Sequence, residues 1–206
     1  MMKKKLTPYQ LSILARHIEQ KRRQQIWRDS LITILIFSLL VTGTFLAFFR
    51  IWQAEDFSML PNLQAGDHLL LAKHKEITRF DLIAFDIPGQ NKQAIRRVVG
   101  LPGEDIRYYD DILYVGSREI PERFLSEELL AAKEQDYQLT QNFTLQDIRG
   151  TKKQRIPENH YLVLADNRSF GMDSRDYGLI AKDNILGVAS GIIFPISAYG
   201  MMQFRS

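Results

Sequence analysis

Residues 94–105 read AIRRVVGLPGED. The stretch opens as a strand, because Ile95, Val98 and Val99 are β-branched and fit a pleated, half-buried surface. It closes as a turn, because Gly100 and the Pro102-Gly103 pair punctuate the chain. Two adjacent arginines, Arg96 and Arg97, sit inside this apolar run. Working outward, HLLLAK (68–73), DLIAFDI (81–87), YLVLAD (161–166) and ILGVASGIIFPI (185–196) share the strand character, with Gly66, Pro88-Gly89 and Gly178 between them. IRYYDDILYVG (106–116) reads as a hairpin turning at Asp110-Asp111. The fold class is therefore mostly β.

Residues 122–156 break the pattern: they are charged and mixed, with a short helix expected near 126–135. They read as an insertion between strands of the main sheet. No internal repeat and no low-complexity tract interrupts the chain.

The 206 residues hold one moderate domain and an appendage. Cysteine is absent, which excludes disulfides, thiolate catalysis and cysteine-ligated metals. A net charge of +3 gives no bulk electrostatic case for nucleic acid. The charge is concentrated at the start, where residues 1–30 carry Lys3, Lys4, Lys5, Arg16, Lys21, Arg22, Arg23 and Arg28 against Glu19 and Asp29. The uncharged run LITILIFSLLVTGTFLAFF (31–49) follows, of a length that spans a bilayer core as a helix. Trp27 and Trp52 bracket it, as interfacial aromatics do. The competing reading is a buried core helix, which a chain this small rarely hides. A cleaved signal peptide fits less well, since the apolar run is long and no small-x-small site follows. These features predict a basic leader at 1–30 in the cytoplasm, a signal anchor at 31–50 and a body at 51–206 outside. The leader reads as a basic helix, lying on the inner membrane surface or solvated.

Four stretches carry the side chains that chemistry needs: EDFSMLPNLQAGDHLLL (55–71), RFDLIAFDIPG (79–89), AIRRVVGLPGED (94–105) and ADNRSFGMDSRDYG (165–178). Ser58 lies in a turn-rich segment. A serine nucleophile needs an exposed hydroxyl, a base and oxyanion donors, whereas most serines near prolines are turn residues. The carboxylates and arginines of 166–175 form either a solvated loop or a buried ion-pair scaffold.

In this order, anchor, serine segment, R-F-D strand, R-V-V-G-L-P-G segment and D-N-R…D-S-R segment resemble the type I signal peptidases over nearly the whole chain. The resemblance implies a β fold outside the membrane, interrupted by a variable segment, and a Ser–Lys dyad that cuts signal peptides without metal or cofactor. It places Ser58 at the nucleophile position and Arg96 at that of the general-base lysine. Arg97, Asp166, Asn167, Arg168, Asp173, Ser174 and Arg175 fall on scaffold positions.

The departures from the family pattern are specific. Arginine stays protonated to a pKa above about 12.5, so neutralising it near pH 7 costs about 7 kcal/mol. General-base catalysis contributes only about 10²–10⁴-fold, so Arg96 does not replace lysine. Gly171 stands where the family carries a serine that orients the lysine. Asp56 stands where a glycine or serine lies close to the oxyanion, and a carboxylate there repels developing charge. Asp56 is expected to pair with Arg96. Asn62 replaces a threonine, and Ala165 replaces the glycine of the last segment, a mild adjustment. Lys73, Lys92, His68 and His74 are the alternative bases for Ser58.

Two functions follow from the resemblance. One is a signal-peptidase-like membrane protein with lost or weak peptidase activity. It would hold exported proteins or signal peptides, pilin subunits beside a sortase among them, by strand addition at exposed edges around Ser58 and residues 94–99. The other is an active type I signal peptidase using Ser58. Neither involves nucleic acid.

Overall fold

The computed structural model describes residues 8–151 and 154–195. Residues 1–7 of the basic leader, Lys152 and Lys153 of the expected insertion, and Ile196 of the expected last strand lie outside the described residues. The chain divides into two units between Ala47 and Phe48.

The first unit is one helix, α1, spanning Pro8–Phe48, so leader and apolar run are a single element. Proline suits a first turn, where its missing N–H has no intrahelical partner to lose. Residues Glu19–Phe48 are long and apolar enough to cross a membrane. Leu35, Phe37 and Leu39 are exposed within the chain. Two hydroxyls in this stretch are satisfied internally, Thr33 Oγ1 donating to Asp29 O at 2.9 Å and Thr44 Oγ1 to Leu40 O at 2.8 Å. The helix ends at Phe48 rather than at 50. Phe49 and Arg50 instead open strand β1 (Phe49–Gln53), paired residue by residue with β2 (His68–Ala72), and that ladder takes over the backbone groups.

The second unit is built on antiparallel sheets. Strands β3 (Leu82–Asp86), β4 (Gln93–Gly100), β9 (His160–Leu164), β10 (Ile180–Ala181) and β11 (Ile185–Phe194) join β1 and β2 in a seven-stranded sheet of order β1-β2-β11-β3-β4-β9-β10. A second, four-stranded sheet has the order β7-β6-β5-β8 and comprises β5 (Ile106–Tyr109), β6 (Ile112–Val115), β7 (Arg118–Ile120) and β8 (Phe143–Thr144). The β5–β6 hairpin turns at Asp110 and Asp111, whose φ values of 53° and 60° are the two left-handed positions of a tight I′ turn. The excursion from the main sheet is wider than 122–156: everything between Gly100 and His160 leaves it, including the whole second sheet and helix α2 (Ser126–Glu134).

Strand β4 is central. Every residue from Ala94 to Gly100 is buried, because the sheet is covered on both faces. Leu69, Leu71 and Ile95 pack with Met59 and Leu63, while Ile83, Phe85, Val98 and Val163 pack with Tyr177. A strand buried on both sides leaves Arg96 and Arg97 no water, so both must find full sets of acceptors.

The expected strand edges need correction. β4 pairs with β3 from Gln93 to Arg97 and with β9 from Arg97 to Gly100. Only residues 93–96 run past the end of β9 at Leu164, so 97–99 offer no edge. The Ser58 segment is a turn, not a strand, and its backbone is engaged: Ser58 N–H donates to Asp56 Oδ1 at 3.0 Å and Ser58 O accepts from Asn167 N–H at 2.9 Å.

Candidate active site

Ser58 sits in the connection between β1 and β2. That connection is anchored by apolar side chains, with Met59 and Leu63 each 1% exposed. Leu63 N–H closes the turn onto Met59 O at 2.8 Å. Burial of its neighbours thus fixes a half-buried Ser58 at the surface of the core.

Arg96 reaches Ser58 from β4. Its side chain is 2% exposed. A guanidinium has five N–H donors and no acceptor, and here all five are used. Nε donates to Met172 O at 2.6 Å. Nη1 donates to Ile95 O at 2.6 Å and Asp56 Oδ1 at 3.4 Å. Nη2 donates to Asp56 Oδ2 at 2.9 Å and Ser58 Oγ at 3.0 Å. The guanidinium–carboxylate pair expected from the sequence is therefore present, and it adjoins the serine. Asp56 is the wetter partner, its side chain 46% exposed.

Ser58 Oγ accepts from a cation that has no lone pair to offer. Asp56 takes the Ser58 N–H, and among the described residues no hydrogen bond joins its carboxylate to the Ser58 hydroxyl. That N–H is the kind of donor an oxyanion would need. Of the alternative bases, Lys73, His74 and Lys92 are exposed, and His68 Nδ1 lies 3.0 Å from Gly66 O.

The expected scaffold residues converge around this triad. Arg97 grips Asp166 through Nε at 2.7 Å and Nη2 at 2.5 Å, and stacks 4.0 Å over the Phe124 ring. Asn62 Nδ2 donates to the same Asp166 carboxylate at 2.8 Å, which ties the serine turn to the D-N-R segment. Asp173 accepts from Ala165 N–H at 3.0 Å, pairs with Arg175 at 2.8 Å and caps the short helix α3 (Ser174–Tyr177). Ser174 Oγ accepts from Val163 N–H at 3.0 Å. Arg168 meets Glu122 at 2.5 Å, Thr140 Oγ1 at 3.0 Å and Ala165 O at 2.9 Å. Burial is the largest influence on Arg168 and opposes its charge, but Glu122, Tyr108 and Asp166 together outweigh it and hold the guanidinium more firmly protonated than usual. Burial likewise pushes the Tyr177 phenol well up, so a neutral hydroxyl faces Met172 O at 3.4 Å. Gly171 adjoins the serine: a Cβ built on it would lie 3.1 Å from Ser58 Cβ.

Sequence reasoning missed three contributors. Glu122 lay in the charged segment with nothing to mark it. Asn62 was visible as a departure, but its role needs Asp166, brought close by the fold. Ala165 looked mild and is not, because its methyl group confronts position 171.

The site is thus a pinned serine turn against a buried strand, with a saturated guanidinium beside the serine and a D-N-R…D-S-R ion-pair frame bracing both. Residues 27–194 match the signal peptidase, peptidase S26, family, and the chain belongs to it. It is 41% identical over 148 residues to signal peptidase I V of Bacillus subtilis (strain 168), covering 70% of this chain and 85% of that one. It is 31% identical over 189 residues to signal peptidase I of Streptococcus pneumoniae serotype 4, covering 81% of this chain and 92% of that one. A crystal structure of a signal peptidase I from Enterococcus faecalis V583 superposes with a TM-score of 0.50 at 37% identity, covering 55% of this chain and 97% of that one. The mostly antiparallel fold with one apolar N-terminal helix accords with this membership.

Proposed function

We propose that this chain is a signal-peptidase-like membrane protein that holds exported polypeptides at the outer membrane face without cutting them. Helix α1 is its anchor, with the basic leader in the cytoplasm and the body from about residue 51 outside. The observation that carries the reading is the enclosure of Arg96. A residue whose five N–H groups all donate cannot accept the serine proton. Asp56 adds a second block by occupying the Ser58 N–H. Strand β4 has no β9 partner before Arg97, and an extended client would pair there once the buried Ala94, Ile95 and Arg96 are uncovered and Arg96 Nη1 releases Ile95 O. The clients are exported proteins, and pilin subunits delivered to a sortase are the particular class we assign. The second reading, an active peptidase, is favoured by the retained Ser58 and by relatives named as signal peptidases.

The test is retention. The full chain in detergent is mixed with a preprotein carrying a small-x-small site, and the bound fraction is recovered and weighed by mass spectrometry. Intact preprotein is expected in complex, bound within about threefold as tightly by Ser58→Ala, since a single hydroxyl contributes little to a backbone-paired interface. No retention of intact preprotein would end the proposal.

A further inference from the structure

Ala165 and Gly171 lie six positions apart in sequence and point at one another. A Cβ built on Gly171 would stand 2.2 Å from Ala165 Cβ, 2.9 Å from Asn167 O and 3.1 Å from Ser58 Cβ. The first distance is impossible for two carbons that are not bonded. The second, against a backbone oxygen, is also shorter than carbon–oxygen contacts allow and asks the Asn167 carbonyl to move, while the third calls for a shift of a few tenths of an ångström. Backbone conformation does not demand glycine here, because Gly171 is not among the glycines with positive φ. Its lack of a side chain is therefore a matter of space, and Ala165 takes that space.

Ala165 is also held so that it cannot yield. It is 0% exposed. Its N–H donates to Asp173 Oδ2 at 3.0 Å and its carbonyl accepts from Arg168 Nε at 2.9 Å. Asp173 and Arg168 are themselves buried and ion-paired, so moving the methyl group means moving the frame. Well-packed interiors respond to an added methylene with strain rather than accommodation.

We infer that Ala165 is a positioning residue for this site: it keeps position 171 without a side chain, so the surface beside Ser58 has no hydroxyl to offer. Positions 165 and 171 share one side-chain space. The chain has filled it from 165. Its catalytic consequence rests on the reading of the site given above, whereas its packing consequence does not. Exchanging Arg96 for lysine and Gly171 for serine would leave the second change colliding with Ala165.

Thermal unfolding of the full chain in detergent tests the packing. Gly171→Ser is expected to lower the Tm by about 5 °C or to prevent folding, as overpacking does in a body of this size. In an Ala165→Gly background the same change is expected to lower the Tm by no more than about half as much, the remaining cost being the contact with Asn167 O. Gly171→Ala, the smaller probe, follows the same pattern if the serine variant does not fold. Equal shifts in the two backgrounds, or failure to fold in both for both probes, would overturn the inference. Catalytic positioning has its own readout. In an Asp56→Ser/Arg96→Lys background, Gly171→Ser is expected to raise cleavage per folded molecule at least about tenfold only when Ala165→Gly accompanies it. The same rate with and without Ala165→Gly would overturn the positioning role. Melting does not depend on cleavage, so a native chain that proves active would end the functional proposal and leave the packing result standing.

Discussion

Asp166→Ala is expected to destabilise the full chain by about 3–5 kcal/mol, because it strands a buried charge. Arg97 loses both oxygens of its bidentate partner, and Asn62 loses the acceptor that ties the serine turn to the frame. The Asp166 side chain is 0% exposed and that of Arg97 9%, so water cannot substitute. For a body of this size the loss corresponds to a fall in Tm of roughly 10 °C. Asp56→Ala is the matched control. It also removes a carboxylate from a buried arginine, but Asp56 is half exposed and Arg96 keeps Met172 O, Ile95 O and Ser58 Oγ. Its cost is expected to be about 1 kcal/mol. Thermal melts of the two variants check the pair: a fall for Asp166→Ala no larger than that for Asp56→Ala would show that the D-N-R frame does not carry the fold.

The second large effect is a gain. Asp56→Ser/Arg96→Lys/Ala165→Gly/Gly171→Ser is expected to cleave a small-x-small preprotein at least about 10²-fold faster than the native chain. The lysine supplies a group that desolvation can neutralise, and general-base catalysis contributes about 10²–10⁴-fold. Asp56 must go as well. A carboxylate beside the new amine would favour its charged form, and it would still occupy the Ser58 N–H needed at the oxyanion. Freeing one such donor is worth about 10²–10³ in rate. Restoring Asp56 to the active variant should therefore return most of the loss. Initial rates of preprotein processing check both steps, and an inactive but folded quadruple variant would place the defect outside these four positions.

The sequence discloses strands best where the pattern is local. The β-branched runs of β4 and β11 and the Asp110-Asp111 hairpin follow from residue type and turn chemistry. Strands such as β8 and β10 are two residues long and exist only because a distant partner offers a ladder. Phe49 continued an apolar run in sequence and Arg50 closed the expected anchor, yet pairing with Ala72 and Leu71 makes them a strand. At the site, the resemblance to the type I signal peptidases led to Ser58, Arg96, Asp56 and the D-N-R…D-S-R residues. Glu122 escaped because a charged residue in a charged segment has no signature until Arg168 is beside it. Ala165 escaped because the penalty for a methyl group is a distance, and distances between positions 165 and 171 belong to the folded turn.

The central claim is that Ser58 has no base. The most direct measurement is the time course of preprotein cleavage by the full native chain in detergent, from pH 6 to pH 10, beside Ser58→Ala. The account predicts indistinguishable traces for the two proteins at every pH, because a saturated guanidinium offers no acceptor to the serine proton. Cleavage by the native chain that disappears in Ser58→Ala would contradict it and make this protein a working peptidase with another base.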